Sequence, residues 1–130
     1  MGATDEARGQ TSKLIALIDD DESMQDSLCD LLESAGLVAR RFGSAEEFLV
    51  YDSHCEVGCL IAEIQMPGMS GLDLQARLKE ERCNIPILFI TSNGSARLRI
   101  QAMREVAVEF LRKPLDHQLL LETVQAALNM

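Results

Sequence analysis

The sequence predicts an α/β fold built on a parallel sheet, and three observations lead to that expectation. Short apolar runs without polar alternation recur along the chain, segments with apolar residues at helical spacing separate them, and Gly, Ser, Asp or Pro marks the junctions. A strand that is apolar on both faces belongs between two layers of helices, whereas a strand with one wet face alternates. The 130 residues amount to one domain, and with 47% apolar residues they can bury a substantial core.

Taken in order, residues 1–12 mix Gly, Thr, Asp, Gln and Ser without periodicity and read as a disordered leader, with the domain proper at 13–130. Residues 13–18 form the first apolar run, bounded by three aspartates, and are expected to be strand β1. From Ser23, Met24, Leu28, Leu31, Leu32 and Ala35 recur at helical spacing and Gly36 follows as a stop, which predicts α1. Residues 37–42 are expected to be β2; Arg40 and Arg41 make it the most polar strand and a candidate sheet edge. Ser44 opens α2, with Glu47 as its capping-box partner. Residues 59–64 are β3, broken by one acid, Glu63, and run into the loop Met66-Pro67-Gly68-Met69-Ser70-Gly71. Leu72, Leu74 and Leu78 fall on α3, residues 85–90 are β4, residues 96–106 with Ile100 and Met103 are α4, and residues 107–111 are β5. Asp116 caps α5, whose Leu119, Leu120, Val124, Ala127 and Leu128 make a broad apolar stripe. Five alternations of strand and helix imply right-handed crossovers and a three-layer (βα)5 sandwich. The expected class is α/β, flavodoxin-like, with sheet order 2-1-3-4-5.

Composition removes several function classes. With 12 basic against 21 acidic residues, a net charge of −9 argues against direct nucleic-acid binding, which depends on clustered Lys and Arg. The apolar runs are strand-sized, far short of the ~18 residues of a membrane span, so no membrane association is expected and the location is expected to be cytoplasmic. Cys29, Cys55, Cys59 and Cys83 show no CxxC pair or zinc-finger spacing, so buried reduced thiols are expected. His54, Cys55 and Cys59 could cluster on a metal, but only His117 remains to complete four ligands and nothing places it nearby.

Asp19 and Asp20 follow β1, Glu63 ends β3, Thr91 follows the β4 run and Lys113 follows β5. In a doubly wound fold all of them fall at the carboxyl end of the sheet, where such folds place their sites. Carboxylates, a hydroxyl and an ammonium together are a phosphoryl-transfer set, because that chemistry needs a nucleophile, positioning and charge neutralisation. Crowded acids repel, so Lys113 or a hard divalent cation such as Mg²⁺ must compensate unless one acid is protonated. Taken singly, each residue could be an ordinary strand end, helix cap or salt-bridge partner; the set is the signal.

The segments Leu17-Ile18-Asp19-Asp20-Asp21, Cys59-Leu60-Ile61-Ala62-Glu63-Ile64-Gln65-Met66-Pro67-Gly68-Met69-Ser70-Gly71, Phe89-Ile90-Thr91 and Phe110-Leu111-Arg112-Lys113-Pro114 resemble, in order and spacing, the motifs of response-regulator receiver domains of two-component signalling. The resemblance implies that Asp19 and Asp20 form an acidic Mg²⁺ pocket with the Gln65 backbone carbonyl as a further ligand. It implies that Thr91 and Lys113 contact phosphoryl oxygens, that Thr91 and Phe110 form the switch, Phe110 turning inward when Thr91 is drawn to the phosphate, and that Lys113-Pro114 is a cis peptide.

The chain departs from the family pattern at the phosphoacceptor, where Glu63 replaces aspartate; Val106 replaces a frequent glycine and Leu115 a frequent Phe. The extra methylene moves the carboxylate about 1.5 Å farther into the pocket, which disfavours in-line attack and weakens an octahedral Mg²⁺ site. Glu63 either imitates a bound phosphoryl group or pairs with Lys113 and locks the switch off, and it is either natural or an engineered phosphomimetic. The expected function is a pseudo-receiver: a phosphorylation-independent interaction module for signalling or transcription control, not an enzyme. It would engage a protein partner or a second copy through the α4-β5-α5 face, with Arg97, Arg99, Arg104, Val106 and Leu115 as candidates. Relatives matched by pattern usually precede a helix-turn-helix output domain. The alternatives are a phosphoacceptor that uses Glu63 or a neighbouring Asp and dephosphorylates itself, and a metal-dependent phosphohydrolase with Asp19 as nucleophile.

Overall fold

The computed structural model describes residues 14–92 and 107–129. The expected leader and the expected α4, with Arg97, Arg99, Ile100, Met103, Arg104 and Val106, lie outside the described residues. Five parallel strands, β1 (Ile15–Ile18), β2 (Ala39–Phe42), β3 (Cys59–Glu63), β4 (Ile87–Thr91) and β5 (Ala107–Arg112), form one sheet in the order β2-β1-β3-β4-β5. This is the expected flavodoxin-like order, and Arg40 and Arg41 do sit on an edge strand, exposed to solvent.

Side-chain alternation divides the core in two. Ala16, Ile18, Leu60, Ala62, Ile87, Phe89 and Phe110 face one way and pack with Ala45 and Phe48 of α2 (Ala45–Leu49) and Leu74 and Leu78 of α3 (Gly71–Glu80). Ile15, Leu17, Cys59, Ile61, Leu88, Ile90 and Leu111 face the other way. They pack with Leu28, Cys29 and Leu32 of α1 (Glu22–Ser34) and Leu120, Val124 and Ala127 of α5 (His117–Leu128). Burial on both faces is why β1, β3 and β4 read as apolar runs.

Among the described residues the helix signals hold with local changes. Asp21 caps α1 by accepting from the amides of Ser23 and Met24, so the helix starts one residue before Ser23. Ser44 accepts from the Glu47 amide, but the Glu47 carboxylate reaches past the cap to Gly43 N at 3.2 Å, so the expected capping box closes one residue early. A full box stands instead at Ser70 and Asp73. On α5, Leu119 is 42% exposed, so the apolar stripe is narrower than expected.

α1 and α3 end in the same hydrogen-bond pattern, with opposite residue choices at the left-handed position. Gly36 (φ 79°) ends α1, with Gly36 N bonded to Glu33 O and Leu37 N to Leu32 O. Arg82 (φ 59°) ends α3, with Arg82 N bonded to Lys79 O and Cys83 N to Leu78 O at 2.9 Å. A side chain in that region costs roughly 1–2 kcal/mol.

Candidate functional site

Parallel register fixes what meets at the carboxyl end of the sheet. β1 pairs with β3, ending at Ile18 against Ala62, and β3 pairs with β4, ending at Glu63 against Ile90; Thr91 pairs with Arg112, one residue before Lys113. Asp19, Glu63, Thr91 and Lys113 therefore converge by pairing alone. Glu63, at 5% exposure, ends β3 where the strand is still buried.

The centre of the site is an ion-pair triad. Lys113 Nζ lies 2.8 Å from Glu63 Oε1 and 3.4 Å from Asp19 Oδ2. The second oxygens of both carboxylates are also bound: Asp21 N donates to Asp19 Oδ1 at 2.9 Å and Gln65 N to Glu63 Oε2 at 3.2 Å. Thr91 is fully buried at the end of β4, and its carbonyl accepts from Lys113 N at 2.8 Å. Asp20 is exposed beside the triad, and the Lys113–Pro114 peptide is cis, as the resemblance implies. Phe110 is buried in the α2/α3-side core, and Leu115 packs against the α1/α5-side core.

Electrostatics follow from burial. Burial pushes the Asp19 carboxyl above the ordinary carboxylate range; the Asp21 amide and Lys113 pull it partly back, and the Glu63 charge adds to the rise. Burial alone would lower Lys113, but the hydrogen bond to Glu63 and the charges of Asp19 and Glu63 outweigh it, so the ammonium is held more firmly than in water. The pocket therefore has acids to spare, and Asp19, Asp20 and the Gln65 carbonyl are hard oxygen donors of the kind Mg²⁺ takes. Lys113 already neutralises part of the charge such a cation would.

The 66–71 loop is held by close approach. A Cβ on Gly71 would come within 2.6 Å of the Glu63 carbonyl, so α3 starts against the end of β3 only because this residue has no side chain. Glu46 of α2 accepts from Met69 N at 3.1 Å and fixes the loop from the other side.

A family model described as the response regulator receiver domain matches residues 15–125. The chain belongs to the response-regulator receiver family. Transcriptional regulatory protein TdiR of Thauera aromatica is 40% identical over 89% of this chain and 51% of its own length, and nodulation protein W of Bradyrhizobium diazoefficiens is 41% identical over 90% and 52%. The chain thus spans about half the length of these curated relatives. The crystal structure of FixJ-N superposes with a TM-score of 0.81 at 31% identity, covering 89% of this receiver and 93% of that chain. Receivers are signalling modules that typically bind Mg²⁺ at their phosphorylation site. No helix among the described residues is long and apolar enough to cross a membrane.

The cysteines require a correction. Cys29 and Cys59 are free and buried, as expected, and burial pushes the Cys59 thiol up to about 12. Cys55 is exposed and forms a disulfide with Cys83, so the expectation of four reduced, buried thiols does not hold. Cys59 faces the α1/α5-side core, and the side chains grouped with His54 and Cys55 are Glu81 and Cys83. The Cys55–Cys83 pairing spans 28 residues, across β3 and α3, and no local pattern announces it. The Ser70–Asp73 box, by contrast, was readable as Ser-x-x-Asp ahead of an apolar run.

Proposed function

We propose that this receiver is a pseudo-receiver: an interaction module whose switch is set by Glu63 rather than by phosphorylation. The observation that carries the reading is the buried Glu63–Lys113 ion pair, 2.8 Å long. Lys113 is the residue expected to hold a phosphoryl oxygen, and here a carboxylate oxygen of the same chain occupies it. The longer side chain reaches Lys113 while its other oxygen is tied to the Gln65 amide, leaving no oxygen aimed at an incoming phosphoryl donor. With Lys113 inserted between Asp19 and Glu63, Mg²⁺ binding is weakened, since the cation would have to compete with an ammonium for both carboxylates.

Of the two roles for Glu63, imitation of the phosphorylated state is favoured by Phe110. Phe110 is only 7% exposed and belongs to the same buried cluster as Phe89 and Ile64, and that burial supports the inward position that the family couples to a Thr91 drawn toward phosphate. The module works in the cytoplasm through the α4-β5-α5 face, on a protein partner or a second copy, and regulates an output such as a helix-turn-helix domain in a longer protein. The exposed Leu119 supports an apolar contact on α5, whereas Leu115 spends its surface on the core.

Acetyl phosphate with Mg²⁺ followed by intact-mass measurement tests the reading. The expected result is an unmodified chain, and a stoichiometric phosphate adduct overturns it in favour of a working phosphoacceptor. Turnover of a phosphate ester, lost in Asp19→Ala, would instead favour the phosphohydrolase.

A further inference from the structure

At the opposite end of the sheet, two connections meet just before β3 and β4. The 3₁₀ turn His54–Glu56 precedes β3, and the exit of α3 at Glu81–Cys83 precedes β4. Together they bring one imidazole nitrogen, two sulfurs and one carboxylate oxygen, from His54, Cys55, Cys83 and Glu81, within 4.8 Å of one another.

We propose that this corner is a zinc site, occupied by one Zn²⁺ when Cys55 and Cys83 are reduced, with the disulfide as the oxidised form of the same pair. Two thiolates, one imidazole and one carboxylate are a ligand set that zinc takes in tetrahedral geometry, at about 2.3 Å to sulfur and 2.0–2.2 Å to nitrogen and oxygen. Reduction by two low-molecular-weight thiols delivers two electrons and two protons to the sulfurs, and the donors leave as their own disulfide. Zn²⁺ then displaces the two thiol protons.

Two further features of the structure point to a cation here. The first is the hydrogen bonding of His54: Nδ1 lies 2.9 Å from the Tyr51 carbonyl and Nε2 lies 2.7 Å from Glu81 Oε1. Both partners are acceptors, so a neutral ring can satisfy only one of them. In the disulfide form Nε2 and Oε1 are in direct contact, and a metal takes the place of that contact once the two atoms part to the roughly 3.3 Å ligand separation of tetrahedral zinc. With metal, the Nδ1–H held by a backbone carbonyl is the usual orienting contact of a zinc-bound histidine. The second is Arg82. Its left-handed φ of 59° turns the chain sharply between Glu81 and Cys83, and the Leu78 carbonyl fixes Cys83 N at 2.9 Å, so two donors two residues apart reach the same point. A strained non-glycine residue between candidate ligands is the pattern that marks functional backbone.

The site is independent of the phosphorylation pocket. It lies at the amino ends of β3 and β4, and the five-residue strands separate it from the carboxyl end by roughly 16 Å. A hard ion such as Mg²⁺ has no preference for thiolates, so the two sites select different metals.

The test is a Zn²⁺ titration of the full 130-residue chain, reduced and metal-free, with Co²⁺ as an optical probe. The expected result is one metal per chain and the thiolate-to-cobalt charge-transfer and visible bands of a tetrahedral site. Cys55→Ser, at an exposed position that leaves the core intact, is expected to lower affinity by about 100-fold or more, and Glu81→Gln by about 10-fold. Cys29→Ala, with a thermal melt to verify folding, keeps wild-type affinity, and the chain with its disulfide intact does not bind. Failure of the reduced chain to take up one Zn²⁺ overturns the proposal and leaves the pair as a disulfide staple. So does binding that survives Cys55→Ser, or equal binding by the oxidised chain.

Discussion

The two ends of this sheet each gather a cluster of ionisable side chains, but they are assembled by different rules. At the carboxyl end, Asp19, Glu63, Thr91 and Lys113 sit at or just past strand ends, and parallel register brings them together whatever the loops do. At the amino end, His54, Cys55, Glu81 and Cys83 lie in connections, and only the path of those connections makes them neighbours. The first cluster is built on the most rigid part of the fold and is organised by charge. The second is built on loop ends and is organised by a covalent bond.

The largest expected effect tests the covalent end. Reducing the Cys55–Cys83 disulfide, which closes a separation of 28 residues, should lower stability in metal-free buffer by roughly 3–4 kcal/mol, as read by urea unfolding with and without reductant. A loss under 1 kcal/mol would mean that core packing already holds the two connections together.

At the charged end, Lys113→Met leaves Glu63 and Asp19 buried without their cation and should cost about 3 kcal/mol at neutral pH, with much of it recovered when Glu63→Gln is added. Because Lys113 titrates above the ordinary lysine value in the folded chain, its contribution is full below ~10.4 and is lost as pH rises through the higher folded value. The penalty of Lys113→Met should therefore persist across neutral pH and shrink only in alkali. Additive single and double variants would show that the two charges do not interact.

Asp19→Asn is expected to have the opposite sign. A folded-state carboxyl raised by burial opposes folding once it ionises, so the variant should gain about 1 kcal/mol at neutral pH, and the gain should vanish as pH falls below the ordinary value of 3.8. A loss at neutral pH would mean that the Asp19–Lys113 contact outweighs burial. The smallest change is Arg82→Gly, where relief of the left-handed backbone should exceed the added chain entropy by up to about 1 kcal/mol in chemical denaturation. Separately, Glu63→Asp withdraws the carboxylate from Lys113 and should give measurable Mg²⁺ affinity by titration; no gain would place the loss of metal binding elsewhere in the pocket.

Legibility in the sequence divides along the same line. The strands were readable because burial on both faces demands apolar runs, and Glu63 stood out as a lone acid in one of them. The helix starts were readable because caps are local: Asp116 accepts from Leu119 N at 3.1 Å as its position implied. Leu119 was misjudged because α5 docks through a narrower face than its composition allows. Glu47 was misjudged by one residue because a flexible carboxylate chooses between neighbouring amides on geometry finer than a pattern records.

Residue order by itself determined the class of fold, the sheet order and the end of the sheet where Asp19, Glu63, Thr91 and Lys113 meet, since periodicity, crossover handedness and register are consequences of local chemistry. Only the tertiary structure decided that Glu63 reaches Lys113 rather than open solvent, that Phe110 is buried, and that Cys55 finds Cys83 beside His54 and Glu81. Those outcomes depend on distances between segments remote in the chain, which packing sets and no local pattern encodes.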